Sequence, residues 1–242
     1  MSVPRVFVDQ ACAPNAQITL EPNDARHLMR VLRMKEGEAI TIVHAGEAWH
    51  AKLDEVGSDH ATATIVEQLK GMSSELPVHV IVLQAVPKGM KMDDVVEKVV
   101  ELGAARIVPL RCARSYGGDS DVKIERWRRI ARAAAQQSQR LIVPDVEQPL
   151  RFHDAIDRFA ATSHVIVAHE GAAQGSLAAS LRCDANATLA IVIGPEGSFT
   201  NDELQLATNA GCDLAWLGPT ILRTETAAAA MLAAIAALRG WW

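Results

Sequence analysis

Three charged residues stand where a proton could be moved and an anion held. Glu196 lies within Gly194-Pro195-Glu196-Gly197, while Arg223 and Glu225 lie within Leu217-Gly218-Pro219-Thr220-Ile221-Leu222-Arg223-Thr224-Glu225-Thr226-Ala227. A carboxylate can act as a general base, and a guanidinium can stabilise negative charge as it develops. Both glutamates would also suit the first turn of a helix, where the dipole favours negative charge. Arg223, set between Leu222 and Thr224, is harder to account for structurally, and of the three it is the preferred stabiliser.

Each Gly-Pro turn follows a short apolar run and precedes a helical pattern. Both turns are therefore expected at the carboxyl ends of neighbouring parallel strands, where open α/β sheets bind ligands. Neither turn is a phosphate loop. A Walker loop needs a lysine and exposed backbone N–H groups, whereas the first turn carries a proline and a glutamate. Leu217, Ile221 and Leu222 beside Gly218 suit a flat apolar ring read by main-chain hydrogen bonds, and adenine without its phosphates fits.

These segments resemble the SPOUT class of S-adenosylmethionine-dependent RNA methyltransferases, and within it the RsmE family, which methylates N3 of a uridine in 16S ribosomal RNA. The resemblance also covers Arg30-Val31-Leu32-Arg33-Met34, Lys91-Met92-Asp93, Lys98, Glu101-Leu102-Gly103 and Gln137-Ser138-Gln139-Arg140, in order along almost the whole chain. It implies a PUA-like N-terminal barrel, a C-terminal domain with a trefoil knot, S-adenosylmethionine as cofactor, the small ribosomal subunit or its 16S RNA as partner, and a homodimer. The expected cofactor residues are His169, Ile193, Gly194, Pro195, Glu196, Gly197, Leu217, Gly218, Ile221, Leu222, Arg223, Thr224 and Thr226. The expected catalytic residues are Arg223, Glu225 and Glu196.

Composition sets outer limits. The chain has 242 residues, 49% of them apolar, enough for a sizeable core in one or two domains. Cys12, Cys112, Cys183 and Cys212 are too scattered for a CxxC site or a disulfide framework, and the start lacks an apolar signal core, so a cytoplasmic protein is expected. The longest apolar run, residues 227–238, is shorter than the roughly 20 residues that span a bilayer, and it reads as a buried helix that dimerises, with no membrane partner. No histidine spacing suggests a metal site.

The pattern along the chain divides it at 72/73. Residues 1–72 show β-like runs at 5–8, 39–43, 48–53 and 61–66, punctuated by glycines, which suggest a small barrel, with one helix at 24–34. A polar linker covers 70–77. From 73 to 242 strands and helices alternate: strands at 78–85, 106–110, 164–169, 188–193 and 213–217, and helices at 90–102, 122–139, 201–209 and from about 225. Such alternation implies an α/β domain with a mainly parallel sheet. Thr200 with Glu203 forms a capping-box signature.

A net charge of −5 requires any nucleic-acid footprint to be local. On the helix at 24–34, Arg26, Arg30 and Arg33 fall on one face, with Leu28, Val31 and Leu32 turned toward the barrel. Residues 123–140 hold six cations against the single acid Glu125. The cations expected at RNA are Arg5, Arg26, Arg30, Arg33, Lys91, Arg114 and Arg140. Two other readings compete: a non-catalytic RNA-binding ribosome assembly factor that keeps the fold, and a nucleotide-binding enzyme, which the missing Gly-Lys and GxGxxG motifs disfavour.

Overall fold

Short β-branched runs separated by glycine turns fold the N-terminal part into a sheet around one core. The computed structural model describes residues 3–71, 74–115, 123–171, 175–184 and 187–241. Two compact units result: Met1–Glu75 with Ala135–Ile142, and Leu76–Ala134 with Val143–Trp242. The expected division at 72/73 falls on residues outside those described.

In the first unit, β1 (Arg5–Phe7) pairs in parallel with β3 (Ala39–His44). β3 pairs antiparallel with β4 (Glu47–Val56), β4 with β5 (Ala61–Leu69), and β5 with β2 (Gln17–Thr19). The β3–β4 hairpin closes through Ala45 and Gly46 at φ 48° and 81°, the left-handed pair that a tight hairpin requires. Register shifts after His50 and Leu53 bend β4 around the core formed by Val6, Ile18, Leu28, Ile40, Ile42, Leu53 and Ile65.

Two expected RNA cations belong to this interior. Arg5 is buried, and its Nη1 donates to the carbonyls of Gln139 and Arg140, the latter at 2.7 Å. Arg140 is buried against Glu75, whose other oxygen accepts the N–H groups of Leu141 and Ile142 at 2.9 and 3.2 Å. The reading of both as RNA contacts is therefore corrected: their guanidinium groups satisfy buried carbonyl and carboxylate oxygens, because a buried cation must be paired.

The expected helix at 24–34 is also corrected. α1 (Pro22–Arg26) passes into a π-helical turn, His27–Val31. The Leu32 N–H reaches the His27 carbonyl at 3.1 Å, and the Met34 N–H reaches the Leu28 carbonyl at 2.9 Å. Arg33 lies at φ 55°, past the helix end, so the three arginines do not share one helical face. Leu28 is buried as expected; Val31 and Leu32 are exposed, because the wider turn rotates them out of register with Leu28.

The second unit is a parallel sheet in the order β12-β10-β11-β6-β7-β8, with β9 also against β7. Its strands are β6 (Val80–Ala85), β7 (Arg106–Arg111), β8 (Asp145–Val146), β9 (Leu150–Arg151), β10 (His164–Ala168), β11 (Leu189–Ile193) and β12 (Asp213–Ala215). The helices are α2 (Lys91–Glu101), α3 (Ile124–Gln137), α4 (Phe152–Ala160), α5 (Leu177–Ser180), α6 (Asn201–Asn209) and α7 (Thr224–Leu238). Strands β10 and β11 are apolar throughout their buried length, and β6 is apolar but for the buried Gln84, as strands covered on both faces are. Phe152, Ile156, Phe159, Val167, Val192 and Phe199 join one core.

Two further expectations change. The Gly-Pro turns follow β11 and β12, which are not neighbours, since β10 lies between them. α7 is not buried all round: Ala228, Met231, Leu232, Ile235 and Ala236 face inward, while Ala229, Ala230, Ala233 and Ala234 are half-buried and Leu238 is 55% exposed. Among the described residues no helix is long and apolar enough to cross a membrane.

Candidate active site

The strand β11 is apolar to its last residue and then breaks at Gly194-Pro195, where a proline cannot continue the ladder. The Ser198 N–H returns to the Pro195 carbonyl at 2.9 Å, with Ser198 at φ 57°. Phe199 is buried directly beneath Gly194: a Cβ there would sit 3.0 Å from the ring. Arg114 braces the turn from outside, donating from Nη1 to the Gly197 carbonyl at 2.9 Å and to the Phe199 carbonyl at 3.4 Å. The turn then enters α6 through the expected capping box of Thr200 and Glu203.

Glu196 projects from this turn toward the start of α2. Its Oε1 accepts the Lys88 N–H at 3.1 Å and lies 3.3 Å from Lys91 Nζ. The same ammonium is 3.5 Å from Oε2 of Glu225, which stands in the first turn of α7. One cation is thus shared by two carboxylates. Burial works against charging Glu196, but its own N–H, the Lys88 N–H and the Lys91 ammonium outweigh it and hold the carboxyl below its ordinary range. Glu225 Oε2 is buried and accepts no hydrogen bond from a described residue.

The second turn forms a cleft. It is lined by Ala168, His169 and Glu170 after β10, by Trp216, Leu217, Gly218, Thr220, Ile221 and Leu222 after β12, and by Ala227 of α7. Gly218 has φ 128° and open space where a side chain would stand, so the backbone faces the cleft. His169 is fixed by its N–H to the Ala215 carbonyl at 3.0 Å and by its Nδ1, which accepts the Gly171 N–H at 3.1 Å. The Glu170 carboxyl is held low, first by its own backbone N–H and then, against burial, by the Ser198 hydroxyl and His169.

A buried polar chain joins the two turns. Thr224 Oγ1 donates to the Gly194 carbonyl at 2.6 Å and accepts from Gln84 Nε2 at 2.9 Å. Gln84, fully buried at the end of β6, also donates to the Ala85 carbonyl at 2.9 Å.

Of the residues expected from the sequence, His169, Leu217, Gly218, Ile221 and Leu222 line the cleft together. Arg223 is the exposed N-cap of α7, immediately after Leu222, and its carbonyl accepts the N–H of Thr226 at 2.9 Å. Ile193 and Pro195 are buried beneath the first turn. Glu196 and Gly197 instead share a hollow with Lys88, Lys91 and Arg114. Lys91 and Arg114, expected at RNA, are engaged within the site, one with carboxylates and the other with turn carbonyls. Arg26, Arg30 and Arg33 lie on the surface of the first unit.

Sequence reasoning missed Gln84, Glu170, Trp216 and Thr220. A polar glutamine ending an otherwise apolar strand was the available signal for Gln84. The thiols take no part here: burial pushes Cys112 up to about 12 and Cys212 up to about 11. Among the described residues no group of histidine, cysteine and carboxylate side chains could hold a metal.

Comparison with known proteins finds the same two parts. Residues 74–236 match an RNA methyltransferase domain family, and residues 20–66 match an RNA methyltransferase PUA domain. Ribosomal RNA small subunit methyltransferase E of Bacillus subtilis (strain 168) is 35% identical over 92% of this chain and 90% of its own length. The protein of that name from Synechocystis is 33% identical over 92% of this chain and 74% of its own. The crystal structure of a ribosomal RNA small subunit methyltransferase E from Neisseria gonorrhoeae bound to S-adenosyl methionine superposes with a TM-score of 0.90 at 30% identity, covering 98% of each chain.

Proposed function

This chain belongs to the ribosomal RNA small subunit methyltransferase E family, and on that premise we propose that it methylates N3 of a specific uridine in the 16S RNA of the small ribosomal subunit. Its fold is a PUA domain followed by an α/β methyltransferase domain, and its methyl donor is S-adenosylmethionine. The division of labour follows: residues 1–72 dock RNA, and residues 73–242 carry the cofactor and the chemistry. In the same reading the C-terminal domain is a homodimer, its C-terminal segment is threaded as a knot, and the protein works in the cytoplasm.

The observation that carries the reading is the placement of residues 222 to 225. Leu222 lines the cleft, Arg223 caps α7, Thr224 holds the first turn, and Glu225 meets Lys91. A cofactor cleft and a charged acid-base cluster are thus joined by four consecutive residues. The cleft suits the cofactor: Leu217, Ile221 and Leu222 offer apolar surface, Gly218 leaves backbone accessible, and the ionised Glu170 offers acceptors to hydroxyl or ammonium groups.

S-adenosylmethionine supplies an electrophilic methyl on a sulfonium, so the protein's task is to position and activate the nucleophile. N3 of uracil carries a proton at neutral pH and must lose it. Glu225 is the better-placed base, since its buried Oε2 accepts no hydrogen bond from a described residue and faces the Lys91 ammonium at 3.5 Å, whereas Glu196 is held low by three donors and is a weak acceptor of protons. Arg223 steadies the uracil anion as N3 ionises, a contribution worth about 10² or more in rate. Glu196 fixes Lys91, which in turn sets the charge beside Glu225.

The test combines calorimetry with S-adenosylmethionine and transfer of labelled methyl from it to purified small subunits. Cofactor binding with transfer to 16S RNA is expected. Binding without transfer would turn the reading toward an assembly factor that keeps the fold.

A further inference from the structure

In the first unit, four consecutive residues that the chain could have buried or spaced apart stand in solvent together: Arg30, Val31, Leu32 and Arg33. Val31 is 65% exposed and Leu32 is 42% exposed. Counted as an ordinary α-helix from Leu28, both lie one turn on and on the same face, so they would pack inward beside it. The π-helical turn at His27–Val31 alters that register, and the inward place is taken by Met34, which packs against the core that contains Leu28. The end is pinned by the Met34 N–H on the Leu28 carbonyl and by Arg33 in the left-handed region, a conformation that L-residues adopt at a cost. The local backbone therefore holds two aliphatic side chains outward at the expense of their burial.

Their surroundings define the partner. From residue 24 to residue 35 the sequence holds Arg26, Arg30, Arg33 and Lys35 and a single acid, Asp24. Asp24 is itself buried and accepts from Gln136 Nε2 at 2.9 Å. The outward charge of the segment is thus positive, with an apolar step between two guanidinium groups. A phosphate backbone matches the cations, and only a base that has left its stack offers a flat apolar face to the step between them.

Resting on the RNA reading above, we propose that Val31 and Leu32 form an apolar platform for an unpaired base, with Arg30 and Arg33 on the flanking phosphates, so that this segment selects single-stranded over duplex RNA. The two kinds of contact differ in their dependence on salt. Phosphate contacts release counterions, whereas apolar contacts to a base do not.

The test measures binding of the full chain to a short single-stranded RNA from the small subunit, and to the same strand paired with its complement, over a range of salt. Val31→Ser/Leu32→Ser should weaken single-strand binding about tenfold, the scale of one lost base contact, with an unchanged salt slope and little effect on the duplex. Arg30→Ala/Arg33→Ala should make the slope shallower by about one for each lost phosphate contact. Both variants should keep the cofactor affinity and melting temperature of the parent. If the parent binds RNA and Val31→Ser/Leu32→Ser binds single strands equally well, or loses duplex binding to the same extent, the platform is refuted while the RNA reading stands. A drop in sedimentation coefficient for that variant would assign the face to self-association and overturn the proposal. Failure of the parent to bind any RNA would overturn both.

Discussion

Thr224 Oγ1 donates to the Gly194 carbonyl at 2.6 Å, so the first residue of α7 holds in place the turn that ends β11. Gln84 Nε2 donates to the same hydroxyl at 2.9 Å from the end of β6. Two strands and a helix distant in sequence thereby fix the spacing between the cleft beside β10 and β12 and the carboxylate cluster.

Thr224→Val keeps the shape but removes the donor and leaves the Gly194 carbonyl and the Gln84 amide without their partner. It should cost about 1–3 kcal/mol of stability, as expected for unsatisfied buried groups, and lower kcat more than it raises KM for the cofactor. Thr224→Ser should restore most of the rate. Steady-state kinetics with a thermal melt on each variant checks this, and equal loss in both variants would show that packing, not the hydroxyl, is what matters.

The two glycines should fail for different reasons. A side chain at Gly218 meets open space but must adopt φ 128°, so Gly218→Val should chiefly abolish cofactor binding. At Gly194 a Cβ meets the ring of Phe199, a core residue packed 5.3 Å from Phe152, so Gly194→Val should also lower the melting temperature by several degrees. Calorimetry and melting curves separate the two. Unchanged affinity in both variants would remove the cleft from the account.

Glu196 and Glu225 should differ in pH behaviour. The folded pKa of Glu196 is depressed, so its contribution to stability is present above the ordinary carboxylate value of about 4.3 and is lost as pH falls through the lower folded value. The melting-temperature gap between the parent and Glu196→Gln should hold from neutral pH down to about 5 and close below about 4. Methylation by Glu225→Gln should recover partly as pH rises and N3 ionises without a base, whereas the loss in Glu196→Gln should not. Rate profiles of the opposite kind would exchange the two roles.

The half-buried alanine face of α7, continued by Leu238, offers close packing to a second copy. Sedimentation should give a dimer at micromolar concentration, and Ala233→Glu/Ala234→Glu should yield a folded monomer. A parent chain that sediments as a monomer would contradict the dimer.

What was legible in the sequence was local. The end of β11 at Ile193 with its glycine turn, the Thr200–Glu203 capping box and the helix expected at 90–102 all follow from neighbours within a few residues, whereas β12 ends at Ala215, two residues before the expected 217. α4 carries the same kind of signal, with Phe152, Ala155, Ile156 and Phe159 buried at helical spacing, though it was not expected. Pairings across the chain were not legible: Arg5 meets the carbonyls of Gln139 and Arg140, and Lys91 meets Glu196 and Glu225. No periodicity encodes such pairs. A guanidinium that faces solvent and one that closes a core look alike until the topology brings residues more than a hundred positions apart together. The π-helical turn was hidden for another reason, since the heptad-like spacing of Leu28, Val31 and Leu32 fits an α-helix equally well.

Mass mapping of modified nucleosides in the small-subunit RNA of cells lacking this protein reads its activity at the target base. One 3-methyluridine should disappear, the intact chain should restore it, and Arg223→Ala should restore it poorly while still binding S-adenosylmethionine. An undiminished 3-methyluridine in the small-subunit RNA of those cells would contradict that activity.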